Sequence, residues 1–189
     1  MSERFQQQHY LLRKKVLSVL GQKFHIYDSN GNVIMYSQLK AFKLKEDIRV
    51  YTDETMQEEL LTIKARSVID FSAAYDVVDA KTGEHVGTLR RKGMKSIVRD
   101  EWDILNQVEE KIGQIQEDNV GLALVRRLVL NLIPQTFNVT LADEQVATYR
   151  QNVNPFVQKI ELDLTSDKID RRLAVASGLL LLAIEGQQE

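Results

Sequence analysis

The chain has 189 residues, with 25 Lys and Arg against 27 Asp and Glu, a formal net charge of −2, no cysteine and two prolines. That length suits a single domain, and 43% apolar with 28% charged residues is a globular composition that excludes a disordered chain. The charge balance argues against a general nucleic-acid binder. The absence of Cys excludes disulfides, thiolate metal sites and cysteine nucleophiles.

Residues 1–9 are polar and mixed in charge, without the apolar stretch of about 7–15 residues that a secretory signal needs. They are expected to form a flexible tail on one domain spanning 1–189, and the protein is expected to be cytoplasmic. Tyr10–Leu17 is the first strand-like run. Five weakly similar units follow, opening at Phe24, Ile48, Tyr75, Trp102 and Phe137, which stand 24, 27, 27 and 35 residues apart. Each begins with a bulky apolar residue, then a polar one, then a β-branched or branched apolar one, the period-2 signature of a half-buried strand. Each then passes a polar turn into a second apolar strand, and two of the turns contain the glycine that tight hairpins favour: Ser29-Asn-Gly-Asn32 and Lys81-Thr-Gly-Glu84. The spacing suits antiparallel hairpins and excludes βαβ crossovers.

Val120–Ile133 reads as a helix capped by Asp118 or Asn119 and stopped by Pro134. Phe156–Leu164 supplies a last strand-like run, bringing the total to about twelve. So many antiparallel strands must curl into a sandwich or close into a barrel to remove their edges. A second helix is expected from Ser166, as cap, to Glu185, with Gly186 as its stop. Its run Leu173–Ile184 is apolar on every side. Twelve helical residues span about 18 Å, against about 30 Å for a bilayer core, so no transmembrane span is expected. A helix apolar all round must then be buried in protein. The predicted fold is mainly β: a closed antiparallel barrel of about twelve strands around a buried hydrophobic C-terminal helix, with Gly178 where the wall comes close.

The stretch Tyr75–Leu105 carries a family resemblance, most distinctively in Leu89-Arg-Arg-Lys-Gly93 and Arg99-Asp-Glu-Trp102. Gly113–Asp118, the Arg126-Arg127 helix through Leu132-Ile-Pro-Gln135, and Lys23–Asn32 add to it. In these segments the chain resembles the LOR family, whose fold is tubby C-terminal-like and which is related to the phospholipid scramblases. The resemblance extends over nearly all of the chain after about residue 10. It implies the barrel and central helix. It also implies a link to membranes, because the tubby fold binds phosphoinositide headgroups at a basic surface. Asp47, Asp53, Glu54, Glu58 and Glu59 are not spaced as a calcium loop, and the cysteine-rich segment of animal scramblases is missing. A scramblase-like activity therefore ranks last.

The residues offer little catalytic chemistry. His9, His25 and His85 lie in different segments without ligand-like spacing, and neither a phosphate loop nor a Gly-x-Ser-x-Gly elbow occurs. No enzyme, metal or cofactor is expected. The basic clusters say more. Arg90, Arg91, Lys92, Lys95 and Arg99 place five positive charges in ten positions with no acid among them; Lys40, Lys43 and Lys45, and Arg13, Lys14 and Lys15, add two more groups. The first cluster is a candidate site for an anionic phospholipid or phosphoinositide headgroup at the inner membrane surface, with Gly93 bending the chain so that its charges converge. The plainer reading is a solvated strand with Arg90 and Lys92 on one face and Arg91 on the other. A scaffold that binds an unidentified protein is the alternative function.

Overall fold

The computed structural model describes residues 2–15, 21–39, 47–66, 73–92, 101–118, 135–152 and 157–185. The strands are β1 (His9–Lys15), β2 (Gln22–Tyr27), β3 (Val33–Leu39), β4 (Asp47–Tyr51), β5 (Glu59–Ala65) and β6 (Ala74–Asp79). They continue as β7 (His85–Arg91), β8 (Glu101–Leu105), β9 (Lys111–Glu117), β10 (Gln135–Leu141), β11 (Glu144–Asn152) and β12 (Lys159–Leu164), before helix α1 (Arg171–Glu185). Each strand pairs antiparallel with its sequence neighbour, and β12 closes on β1. The sheet is a closed up-and-down barrel of twelve strands, without a free edge. The five expected hairpins are β2–β3, β4–β5, β6–β7, β8–β9 and β10–β11. The helix expected over 120–133 lies outside the described residues.

The alternation of the sequence becomes the inside and outside of the wall. Phe24 and Ile26, Ile48 and Val50, Tyr75 and Val77, Trp102 and Ile104, and Phe137 and Val139 all join the core and are at most 2% exposed. The barrel axis is filled by α1, which is buried from Leu173 to Ile184 and packs on β1, β5, β6, β7, β11 and β12. Burying about twelve apolar residues in this way gives the helix the dry surroundings its all-round hydrophobicity demands. Gly178 marks the close approach: a Cβ there would lie 3.2 Å from Leu12 Cδ2 and 3.5 Å from Tyr149 Cε1. The hydroxyl of Tyr149 donates to the Ala174 carbonyl (3.0 Å) and lies 2.6 Å from Ser177 Oγ, so both of these buried hydroxyls are paired. Burial pushes that phenol well above its ordinary range.

Two expectations need correction. The C-terminal helix starts at Arg171 rather than at Ser166, because the chain must first cross from the wall to the axis. Asp170 is the cap, accepting from the Arg172 amide at 2.9 Å. Residues 2–9 are not a tail. Glu3–Phe5 form a 3₁₀ turn capped by Ser2, Phe5 is 1% exposed, Arg4 donates to the carbonyls of Ile34 and Thr52, and His9 already belongs to β1.

Up-and-down topology sorts the connections by pole. The five hairpin turns and the link from β12 into α1 (residues 28–32, 52–58, 80–84, 106–110, 142–143 and 165–170) all lie at one pole, called here the turn pole. At this pole Gly31 and Gly83 take positive φ (82° and 73°), as their turns require. So do Ala142 (47°) and Asp143 (64°), a two-residue loop without glycine that the sequence did not announce.

Candidate functional site

Arg90 and Arg91 close β7 at the pole opposite the turns and Lys92 follows them, while Lys95 and Arg99, with Gly93, lie outside the described residues. Pairing with β8 changes their surroundings. The ammonium of Lys92 contacts Glu101 and lies 3.5 Å from Asp103, which holds it above its usual range, the Glu101 hydrogen bond being the larger cause. Arg91 stands opposite Trp102 and Arg90 opposite Asp103. Of the three, only Arg90 is exposed. A run that is free of acids along the chain therefore meets acids across the sheet.

A different basic face is assembled on β12, β1 and β2. Arg13 stands directly opposite Lys159, and Lys15 directly opposite Lys23. Like charges facing each other across antiparallel strands are destabilising, and here two such pairs follow in succession. Lys159 has Glu161 at 2.9 Å. Arg13, Lys15 and Lys23 make no ion pair among the described residues. The acid that Lys15 and Lys23 reach is Glu54, whose carboxyl is held low first by the His25 hydrogen bond (2.8 Å) and more weakly by the fields of the two lysines. Arg13 and Lys15 were one of the sequence clusters; Lys23 and Lys159 were not, since only the strand register brings them there.

The turn pole has the opposite sign. Its connections contain Asp28, Asp53, Glu54, Glu58, Glu84, Glu109, Glu110, Asp143, Asp167 and Asp170, against Lys81 and Lys168. At its centre, where α1 enters, Arg172 is 8% exposed at its side chain and gathers three acids. It donates to Asp79 at 2.9 Å, Glu84 at 2.7 Å and Asp170 at 2.7 Å. Burial alone would push Asp79 up, but the guanidinium and the amides of Thr82 and Lys81 outweigh it and hold the carboxyl below its ordinary value. This cluster fastens the helix to the β6–β7 hairpin. Sequence reading could not pair Asp79 with a residue 93 positions away.

Each histidine meets a carboxylate: His9 with Asp163 (2.6 Å), His25 with Glu54 (2.8 Å) and His85 with Asp76 (3.3 Å). Asp76, His85 and Glu109 also place one donor atom each within 4.8 Å of one another, which could hold a metal ion. Arg66 lies between the two carboxylates. It donates to Asp76 through Nε (2.9 Å) and Nη2 (2.6 Å), and to Glu109 through Nη1 (2.9 Å). The positive charge that a cation would bring is already supplied. Glu109 is held low first by its Arg66 hydrogen bond; Asp76 ends low despite burial, through Arg66 and the Thr88 hydroxyl.

The LURP-one-related family model matches residues 33–181, most of the chain: strands β3 to β12 and all but the last turn of the central helix, with β1 and β2 outside the match. The chain belongs to the LURP-one-related family. No curated protein matches it. The family's tubby-like and scramblase relationship agrees with the closed barrel around its C-terminal helix. No helix among the described residues is long and apolar enough to cross a membrane, α1 having 15 residues, all inside the barrel wall or at its mouth.

Proposed function

We propose that this LURP-one-related chain is a non-enzymatic module that docks on anionic phospholipid or phosphoinositide headgroups. The docking face is the basic one on β12, β1 and β2, at the pole opposite the turns. The observation that carries the reading is the pair of like-charged cross-strand contacts, Arg13 with Lys159 and Lys15 with Lys23. Glu161 offsets Lys159 and Glu54 feels Lys15 and Lys23 only weakly, so the face keeps an excess of positive charge. A phosphate seated there would relieve it, with Arg13 able to offer two parallel donors. The non-enzymatic part is supported by the histidines, each committed to a carboxylate at a separate place. Arg90 and Lys92 are the flank of this surface rather than its centre, because Glu101 and Asp103 oppose them.

Vesicle co-sedimentation tests this. Wild-type protein should pellet with phosphatidylserine or phosphoinositide vesicles, fail to pellet with phosphatidylcholine alone, and release as salt rises. A basic residue near an anionic surface contributes about 1 kcal/mol. Arg13→Glu/Lys15→Glu should therefore weaken binding by roughly thirtyfold or more, while Arg90→Glu/Lys92→Glu should weaken it less. Wild-type protein that ignores anionic vesicles at low salt refutes the reading and leaves the protein-binding scaffold in its place.

A further inference from the structure

A cleft of about 340 Å³ opens at the turn pole where α1 enters the barrel, on the far side of the molecule from the basic face. That volume is in the range of sites that hold small ligands or bulky side chains. Its apolar walls are Val86, Val108, Ile112, Leu141, Ile169 and Leu173. Four large apolar side chains are exposed among the described residues: Val33 (47%), Met56 (43%), Val108 (70%) and Ile112 (38%). All four lie at the turn pole, and two of them line this cleft.

Val108 is not there for the turn. Asn106 Oδ1 closes the β8–β9 loop by accepting from the amides of Val108 and Glu110, at 3.0 and 2.9 Å. That geometry uses the Val108 amide and asks nothing of its side chain, at a turn tip where Gly, Asn, Asp or Ser is the ordinary choice. An exposed apolar patch beside a cavity is the usual mark of a binding surface.

Charge selects the occupant. Glu110, which shares the turn of Val108, and Asp143, which follows Leu141, make no ion pair among the described residues; Asp170 lines the cleft and Asp167 flanks its entry, already paired with Arg172 and Arg171. The one base in the lining, Lys168, contacts Glu144. The geometry points to a docking site for a peptide segment of a partner protein that carries one or two bulky apolar side chains flanked by Lys or Arg. The apolar side chain fills the cleft, and its basic neighbours meet the acidic rim and are steered to it. This inference is independent of the headgroup reading, which concerns the other pole. Together they describe a module with a membrane face and a protein face.

The test is selection of a random linear peptide library, displayed on phage, against the intact protein at low salt. Selected peptides are then made with a fluorescent label and titrated by polarisation. Binders should converge on an apolar anchor between Lys or Arg residues. Val108→Ser/Ile112→Ser should weaken them roughly tenfold or more, since both side chains would pack on the anchor. Val108→Ser alone, at an exposed turn tip, carries the same test if the double variant loses stability. Glu110→Gln/Asp143→Asn, which keeps the turn conformations, should weaken binding about threefold at low salt and not at high salt. The inference is overturned by the absence of convergent binders, by acidic binders, or by binders indifferent to the Val108 substitution. It is also overturned by concentration-dependent self-association that Val108→Ser abolishes, which would make the occupant a second copy of the chain.

Discussion

Replacing Arg172 by Met keeps most of its apolar stem but removes the charge that gathers Asp79, Glu84 and Asp170. The three acids do not contribute equally. Glu84 and Asp170 have 42% and 32% of their side chains exposed and can turn to water, so each pair is worth little by itself. Asp79 has 9% and cannot. Removing one partner of a buried pair costs about 3–5 kcal/mol because the other charge is left uncompensated. The amides of Lys81 and Thr82, both 3.1 Å from Asp79 Oδ1, retain part of its solvation, which places the expected loss near the lower bound, about 3 kcal/mol. For a chain of this size that is a fall in Tm of about 6–12 °C, followed through the fluorescence of Trp102, the single Trp, which is 2% exposed in the core. Adding Asp79→Leu should recover much of the loss, since an apolar pair can replace an ionic one at little cost. The Asp79 carboxyl is depressed in the fold, so its contribution is complete above the ordinary carboxylate pKa of about 4 and is lost as pH falls through the lower folded value. Arg172→Met should therefore flatten the acid limb of the stability curve. A Tm shift under about 2 °C, or a double variant weaker than the single one, would refute the argument.

Three further outcomes follow from packing and turn geometry. Gly113→Ala should destabilise by about 1–3 kcal/mol in urea titration, because its Cβ would fall 2.2 Å from the backbone oxygen of Thr140 and the β9–β10 pairing must give way. Leu180→Asp puts an unpaired charge at a position 1% exposed inside the barrel, and at a cost of several kcal/mol the product should be aggregated or unfolded by circular dichroism. Ala142→Asn/Asp143→Gly supplies the residue types that a loop with two positive φ values favours, and should raise stability by about 1 kcal/mol, or about 2–4 °C in Tm.

Most of the fold was legible because a closed barrel writes a local signature. The alternation that opens each unit at Phe24, Ile48, Tyr75, Trp102 and Phe137 is the inward face of an even-numbered strand, and a wall buried on one side leaves no other register open. The central helix was legible for the same reason: twelve residues whose only polar side chain is Ser177 exclude a surface position. What failed depended on tertiary geometry. The start of α1 is set by the distance from the wall to the axis, not by the first residue able to cap. The N-terminal turn is held by a single buried ring, Phe5, which carries no periodicity. The surroundings of the basic residues were hidden to the extent that they depend on strand pairing. Arg90 to Lys92 looked unopposed along the chain and meets Glu101 and Asp103 across the sheet, whereas Lys15 and Lys23 looked unrelated and face each other.

The acidity of the turn pole has two origins, and separating them shows what the fold leaves unexplained. Tight turns need short side chains that accept from the backbone, and several of the acids do this. Asp28 accepts from the amides of Asn30 and Asn32, Asp53 from Thr55, and Asp79 from Lys81 and Thr82. Asn106 does the same work without charge, so turn chemistry permits acids here but does not require them. Others close no turn. Glu84 and Asp170 answer Arg172, and Glu109 answers Arg66. Glu58, with no ion pair among the described residues, serves neither purpose, and Asp167 meets Arg171, its neighbour one helical turn on. An antiparallel meander sends all its tight turns to one pole, so any bias in turn composition becomes a field along the barrel axis. The acids beyond those the turns and ion pairs use enlarge that field, and exposed Val108 and Ile112 sit within it beside the cleft.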